Sequence, residues 1–227
     1  HDYAIRTGGL ELFPRLLVSQ RPGTLPKEVV CSGSEQLDAL LGGGLHRGTS
    51  ALLVGPAGSG KSSVALSMAY NAAREGECAA LYAFDEGTES IIARAKGIGI
   101  ELGPMIASGD IVLQQINPAE MSPGEFTSLV CRVVDERKAT VVVIDSLNGY
   151  LQAMPQERFL ALEIHQLLSY LNQQAVLTIM VMAQHGLVGV VESPIDLSYL
   201  SDAVLLLRFF EAQGTVRKAI SVLKKRV

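Results

Sequence analysis

The clearest signal in this sequence is the glycine-rich loop Gly55-Pro56-Ala57-Gly58-Ser59-Gly60-Lys61-Ser62-Ser63. An apolar run of strand length, residues 51–54, precedes it, and a helix-prone segment, residues 64–69, follows it. Gly55 and the Gly60-Lys61-Ser62 end have the spacing of a phosphate-binding loop between a strand and a helix. In such a loop, backbone N–H groups and the positive end of the helix dipole bind an anion. The sequence therefore predicts a nucleotide site formed by the whole loop.

Two side chains of this loop have predicted roles. Lys61 should reach the β- and γ-phosphates, and the hydroxyl of Ser62 should coordinate Mg²⁺. A glycine-rich loop alone also occurs as a plain turn, but the complete spacing between a strand and a helix is specific. The predicted ligands are therefore ATP and Mg²⁺.

Length and composition restrict the class of protein. The 227 residues are 48% hydrophobic and 19% charged, which is typical of one large α/β domain. No apolar run approaches the roughly 20 residues of a membrane span, and the start does not resemble a signal peptide, so we expect a cytoplasmic protein without a membrane partner. Three scattered cysteines and four histidines indicate neither disulfides nor a metal cluster. The net charge of −4 provides no basic field, so DNA is an unlikely partner.

Two buried strands are predicted to end in acidic residues. Residues 78–84 lead into Asp85-Glu86, and residues 140–144 lead into Asp145. Open α/β sheets place their chemistry at the carboxyl ends of their strands. Asp145 should hold the magnesium shell through water or a hydroxyl, and Asp85 or Glu86 should polarise the group that attacks the γ-phosphate. For Asp85 and Glu86 the alternative stays open that they form a solvated strand end.

The remaining segments complete the predicted architecture. Gln184-His185 follows another buried run and either senses the γ-phosphate or caps the next loop. Strands alternating with helices, and a final hairpin around residues 211–214, predict an α/β fold with a twisted, mostly parallel sheet, helices on both faces and a C-terminal β-hairpin. Glycines and prolines interrupt residues 1–30, which predicts an interdomain linker or an extended arm on a neighbour, followed by one domain, 31–227.

Four motifs together resemble the RecA-like P-loop ATPases and, within them, the KaiC family of bacterial clock and signalling proteins. The motifs are the loop at 55–63, Phe84-Asp85-Glu86, Ile144-Asp145-Ser146 and Leu223-Lys224-Lys225-Arg226. The likeness runs from about Gly9 to Arg226. The lead-in from Gly9 to Pro14 resembles the junction into the second of two tandem ATPase domains. The resemblance implies that the chain is the second domain of a two-domain protein.

The resemblance also implies roles for particular residues. Asp85 and Glu86 match the family's paired catalytic carboxylates, and Lys224 and Arg226 match a pair that reaches the γ-phosphate of a neighbouring subunit. The implied assembly is a ring, usually a hexamer, with clock or signalling proteins as further partners. Ser198 corresponds to a family position that the adjacent subunit phosphorylates, and Ser201 is a second candidate acceptor. Tyr199 stands where the family has a threonine.

The predicted function is a KaiC-like signalling ATPase, with or without serine/threonine autokinase activity between subunits. One alternative is a DNA-dependent RecA- or DnaB-like motor, which needs basic loops facing its channel. Residues 186–201 contain Glu192 and Asp196 but no lysine or arginine, which argues against a motor. The other alternative is an adaptor that binds nucleotide as a switch and hardly hydrolyses it.

Overall fold

The computed structural model of the protein describes residues 2–14, 16, 28–152, 157–184 and 198–226. Its strands are β1 (Asp2–Arg6), β2 (Gly9–Phe13), β3 (Val29–Val30), β4 (Leu45–His46), β5 (Ser50–Gly55), β6 (Cys78–Ala83), β7 (Ile111–Gln115), β8 (Ala139–Asp145), β9 (Leu177–Ala183), β10 (Ala203–Ala212) and β11 (Thr215–Lys225). Its helices are α1 (Glu35–Leu40), α2 (Lys61–Arg74), α3 (Thr88–Gly97), α4 (Leu102–Ser108), α5 (Pro123–Arg137), α6 (Leu147–Gln152) and α7 (Glu157–Gln173), with a 3₁₀ turn at Ser198–Leu200.

The central sheet has seven strands in the order β11-β10-β5-β9-β8-β6-β7. Neighbouring strands from β10 to β7 run parallel, and β11 is antiparallel to β10. The predicted mostly parallel sheet with a C-terminal hairpin is therefore confirmed.

Both faces of the inner strands β5, β6, β8 and β9 are buried beneath helices, whereas β11 at the edge is exposed or half-buried. In β6, Leu81 and Ala83 belong to one apolar cluster, whereas Ala80 and Tyr82 belong to the other. Helices α2, α3 and α4 contribute to the first cluster, and α5, α6 and α7 contribute to the second. Because the strands are buried on both sides, they appear in the sequence as continuous apolar runs. Among the described helices, none combines the length and apolar character needed to cross a bilayer.

The first strands differ from the expectation of an irregular linker. β1 and β2 form an antiparallel hairpin in which Asp2 lies opposite Phe13 and Arg6 lies opposite Gly9. The hairpin lies against α5, where Arg6 forms an ion pair with Glu125, and Phe13 is buried. The described part of this segment therefore packs on its own chain. The domain boundary near residue 30 stays a prediction.

The C-terminal hairpin connects the two edges of the sheet. We call the strand ends at Gly55, Ala83, Asp145 and Ala183 the carboxyl edge, and the starts of β5 and β10 the amino edge. β10 pairs with β5 from Ala203 to Leu206 and then extends past the carboxyl edge. β11 runs back antiparallel, so its last residues lie beside Ala203 and Val204. The end of the described chain therefore returns to the amino edge.

Candidate functional site

The carboxyl edge brings the predicted site segments together. β5, β9, β8 and β6 are consecutive neighbours in the sheet, and each one leads into a predicted site segment. Gly55 pairs with Ala183, and Asp145 pairs with both Val181 and Ala83. The glycine loop, Gln184, Asp145 and the Asp85-Glu86 pair therefore follow strands that end side by side.

The glycine loop is packed tightly against β10. A Cβ atom built on Gly55 would lie 2.1 Å from the carbonyl oxygen of Leu207. This close approach excludes any side chain at position 55. The loop then turns into α2, whose first residue is Lys61. Its backbone N–H groups and the start of α2 make this loop a suitable anion site.

Lys61 lies inside the loop that precedes it. Its Nζ donates a hydrogen bond to the carbonyl oxygen of Pro56 at 2.8 Å, and the residue is 6% exposed. Burial lowers the pKa of Lys61, and the nearby Asp145 carboxylate partly opposes that change. The ammonium group is thus held by a neutral acceptor that a phosphate oxygen would outcompete, because hydrogen bonds between charged groups are stronger.

Ser62 and Asp145 form the second part of the site. The side chains of Ser62 and Asp145 line the same small cavity, and the Ser62 hydroxyl is close enough to affect the pKa of the Asp145 carboxylate. Loss of hydration raises the pKa of Asp145, and the charges of Asp85 and Glu86 raise it further, whereas the Ser62 hydroxyl and the charge of Arg94 oppose the rise. A hydroxyl and a carboxylate that line one cavity are the oxygen ligands that Mg²⁺ prefers beside nucleotide phosphates. The residues present therefore fit the predicted metal.

Asp85 is held by the turn that begins α6. The hydroxyl of Ser146 donates a hydrogen bond to its Oδ2 atom. A Cβ atom on Gly149 would lie 2.7 Å from Oδ1 of Asp85 and 2.7 Å from Cβ of Phe84. The Asp85 carboxylate therefore packs against the backbone of α6 at Gly149. This contact and the Ser146 hydrogen bond connect the end of β6 to α6.

Glu86 is held by α3 instead. Its Oε1 accepts hydrogen bonds from Oγ of Ser90 at 2.6 Å and from Nε of Arg94 at 3.4 Å, and its Oε2 accepts one from Nη2 of Arg94 at 2.8 Å. Burial alone would raise the pKa of Glu86, but these hydrogen bonds and the charge of Arg94 outweigh it and lower the pKa. Glu86 is thus kept ionised, whereas Asp145 is pushed toward protonation.

Gln184 lies beside the glycine loop, as its position after β9 predicts. Its backbone N–H donates to the carbonyl oxygen of Gly55 at 2.9 Å. Its Oε1 atom is buried without a hydrogen-bond partner in the described part of the chain. The two interpretations of Gln184, as a phosphate sensor or a cap, stay predictions, and His185 lies outside the described residues.

Lys224 and Arg226 lie at the amino edge, away from the loop of their own chain. Lys224 pairs with Val204, and its Nζ donates to the carbonyl oxygen of Ser201. Arg226 is exposed, and its backbone N–H donates to the carbonyl oxygen of Asp202 at 3.0 Å. The structure therefore does not bring these cations to Lys61.

The two candidate phosphate acceptors lie at the same amino edge. Ser198 begins the 3₁₀ turn just before β10. Ser201 is fully buried at 0% exposure, and its hydroxyl has no hydrogen-bond partner among the residues described. The candidate acceptors thus accompany the cations and are separated from the glycine loop by the length of the sheet.

Three residues around the paired acids escaped the sequence analysis: Arg94, Ser146 and Gly149. The contact of Arg94 with Glu86 could have been predicted from the sequence. Ser90 and Arg94 lie four residues apart on one face of α3, and they follow Glu86 by four and eight residues. The contact between Gly149 and Asp85 could not, since the two residues meet only when β6 and β8 pair.

Comparison with known proteins places this site in a family. The family model described as "ATPase: KaiC" matches residues 30–227. "Circadian clock protein KaiC3" of Synechocystis sp. is 27% identical over 198 residues, covering 87% of this chain and 39% of the relative. "Circadian clock oscillator protein KaiC" of Picosynechococcus sp. is 25% identical over 231 residues, which cover 100% of this chain and 44% of the relative. The protein of the same name from Synechococcus elongatus is 23% identical over 231 residues, which cover 100% of this chain and 43% of the relative. The chain thus spans less than half the length of these relatives.

Proposed function

The chain belongs to the KaiC ATPase family, and from this premise we propose that it binds ATP with Mg²⁺ and hydrolyses the γ-phosphate. The observation that carries the proposal is the carboxyl edge, where the glycine loop, the Ser62–Asp145 pair and an ionised Glu86 follow adjacent strands. This edge supplies an anion site, a metal site and a candidate base.

Each residue has a defined task in the proposed reaction. Lys61 exchanges the carbonyl of Pro56 for phosphate oxygens, while Ser62 and Asp145 hold the metal. Mg²⁺, when bound, neutralises charge on the β- and γ-phosphate oxygens. Glu86 accepts a proton from the attacking water. We assign this task to Glu86 because the Asp85 side chain is shorter and one of its carboxylate oxygens packs against the backbone at Gly149.

We further propose that the site is completed by a second copy of the chain in a ring. Charge on the transferring phosphoryl group needs a cation opposite Lys61. Lys224 and Arg226 lie at the amino edge, so the cations of one chain cannot serve its own loop without unfolding the hairpin. A head-to-tail contact of carboxyl edge with amino edge would bring them to the loop of the neighbour.

The same geometry supports transfer of a phosphoryl group between subunits rather than within one chain. Ser198 accompanies the cations at the amino edge, and we propose it as the acceptor of an autokinase reaction. Ser201 is the weaker candidate because its side chain is fully buried. Since the relatives are named circadian clock proteins, we propose a signalling role for the full-length protein.

Subunit mixing tests this proposal. Lys61→Ala and Arg226→Ala proteins should each lack ATP turnover with Mg²⁺ when assayed alone. After reassembly from an equal mixture, activity should return to about one quarter of wild type, because only interfaces that pair an intact loop with an intact neighbour are active. Phosphopeptide mapping of the same samples reports whether Ser198 is modified.

Other results would redirect the proposal. Full activity of Arg226→Ala would remove the role of that residue as a cation in trans. Tight ATP binding without turnover in wild type would favour the switch adaptor. Turnover that rises with single-stranded DNA and falls with salt would favour the motor.

A further inference from the structure

Two side chains of α3 occupy almost all acceptor positions of the Glu86 carboxylate. A carboxylate has about four acceptor positions. Ser90 and Nε of Arg94 use those of Oε1, and Nη2 of Arg94 uses one of Oε2. The remaining position on Oε2 is therefore the one from which Glu86 can accept a proton from water.

Arg94 also borders the metal side of the site. Together with Ser62 and Asp145 it lines a small cavity of about 20 Å³, which is large enough for one water molecule. Its Nη1 atom is buried and has no hydrogen-bond partner within the described ranges. The positive charge of Arg94 acts on both Glu86 and Asp145. One guanidinium thus stands between the candidate base and the candidate metal ligand.

We propose that Arg94 is a positioning residue that fixes Glu86 for proton acceptance and binds a water molecule in the cavity next to Asp145. The proposal rests on the proposed ATPase function. The planar guanidinium fork places Oε2 in one orientation, which a lysine ammonium cannot do with the same geometry. Arg94 also offsets the repulsion among Asp85, Glu86 and Asp145, which would otherwise move Glu86 away from the reacting water.

A double-mutant cycle tests this role. We would measure single-turnover rates with radiolabelled ATP and Mg²⁺ for wild type, Arg94→Met, Glu86→Gln and the double variant. Arg94→Met should lower the rate roughly 10- to 100-fold, the usual cost of losing a partner that orients a reacting group. In the Glu86→Gln background, Arg94→Met should lower the single-turnover rate by less than about threefold, because Arg94 acts through Glu86.

Three further measurements separate positioning from a general effect on the fold. Arg94→Lys should restore part of the rate, since it keeps the charge but not the fork. The Kd for ADP without metal should change by less than about threefold in Arg94→Met, because the loop and Lys61 stay intact. Arg132→Met, which changes an exposed arginine on α5, should match wild type in every assay.

Two kinds of result would contradict the role of Arg94. If Arg94→Met lowers the rate by the same factor in both backgrounds, or leaves the wild-type rate unchanged, Arg94 does not act through Glu86 and the inference is overturned alone. If wild type itself shows no turnover, the proposed function fails and the inference fails with it.

Discussion

The two edges of the central sheet carry different sets of predicted site residues. The carboxyl edge holds the glycine loop, the Ser62–Asp145 pair and the paired acids, whereas the amino edge holds Lys224 and Arg226. The carboxyl edge brings together, within one chain, the residues that we propose to bind a nucleotide and its metal. Among the residues that the structure describes, the amino edge has cations but no glycine-rich loop like that at residues 55–63. In the ring that we propose, the carboxyl edge of one copy would be completed by the amino edge of its neighbour.

The edges also differ in how their charges are held. On the carboxyl edge, Glu86 is paired with Arg94 and is kept ionised, while Asp145 is pushed toward protonation. On the amino edge, Lys224 and Lys225 donate to the backbone carbonyls of Ser201 and Leu41. The acids are therefore bound to charged or hydroxyl partners, whereas these lysines contact neutral carbonyls that a phosphate could displace.

The largest combined loss of ATP binding and turnover is expected from a change in the glycine loop. Lys61→Ala should lower ATP turnover by about 10²- to 10³-fold, because it removes a preorganised cation from the phosphate site. It should also weaken ATP binding, measured by calorimetry. Lys96→Ala, an exposed lysine on α3, is the matched control and should behave as wild type. Undiminished ATP binding by Lys61→Ala would contradict the assignment of the carboxyl edge.

The paired acids should respond differently from the loop. Glu86→Gln should lower kcat by about 10²- to 10⁴-fold, the usual contribution of a general base, while ADP affinity stays close to wild type. Asp85→Asn should cost less, because Asp85 chiefly joins β6 to α6. A larger loss of kcat in Asp85→Asn than in Glu86→Gln would reverse the two assignments.

A smaller effect is expected where α6 meets β6. Gly149→Ala should destabilise the fold by about 1–3 kcal/mol, because the new methyl group would overlap Asp85 and Phe84. Chemical denaturation measures this loss. Gly103→Ala in α4 is the matched control, since its methyl group meets nothing within 4 Å and should be neutral or stabilising by up to about 1 kcal/mol. Equal effects of the two changes would show that Asp85 is not tightly packed.

The smallest effect should come from the N-terminal hairpin. Arg6→Gln removes the ion pair with Glu125. The Arg6 side chain is 56% exposed. Such pairs contribute about 0.2–1 kcal/mol, so the melting temperature should fall slightly and ATP turnover should not change. In a Glu125→Gln background the same change should have a smaller effect, because only the ion pair between Arg6 and Glu11 is then lost. A clear loss of turnover would mean that the hairpin takes part in the site.

The fold could be predicted wherever the signal was continuous in the sequence. The buried runs of β5, β6, β8 and β9 were recognisable because apolar residues cover both faces of the sheet. β1 and β2 were missed because Gly8-Gly9 resembles an interruption, although Gly8 lies in the hairpin turn and Gly9 begins β2. Helices α4 and α6 were missed because they are short, with 7 and 6 residues. Gly103-Pro104 also resembles a break, although proline fits the first turn of a helix.

The candidate site divides in the same way. The glycine loop, Ser62 and Asp145 could be predicted as site residues from the sequence because each lies in a short motif directly after a buried strand. The surroundings of Asp85 and Glu86 could not, because they depend on α6 and α3 packing against the end of β6. Two adjacent acids of similar chemistry therefore received one shared prediction.

The order of residues alone was sufficient to identify the phosphate loop, its lysine and the parallel sheet, because their physics is local: spacing, backbone freedom and burial of consecutive residues. Only the folded chain reveals that Arg94 holds Glu86, that Gly149 makes room for Asp85, and that Lys224 and Arg226 lie at the opposite edge from Lys61. These relations depend on strand order and on the antiparallel return of β11, which join residues far apart in the chain.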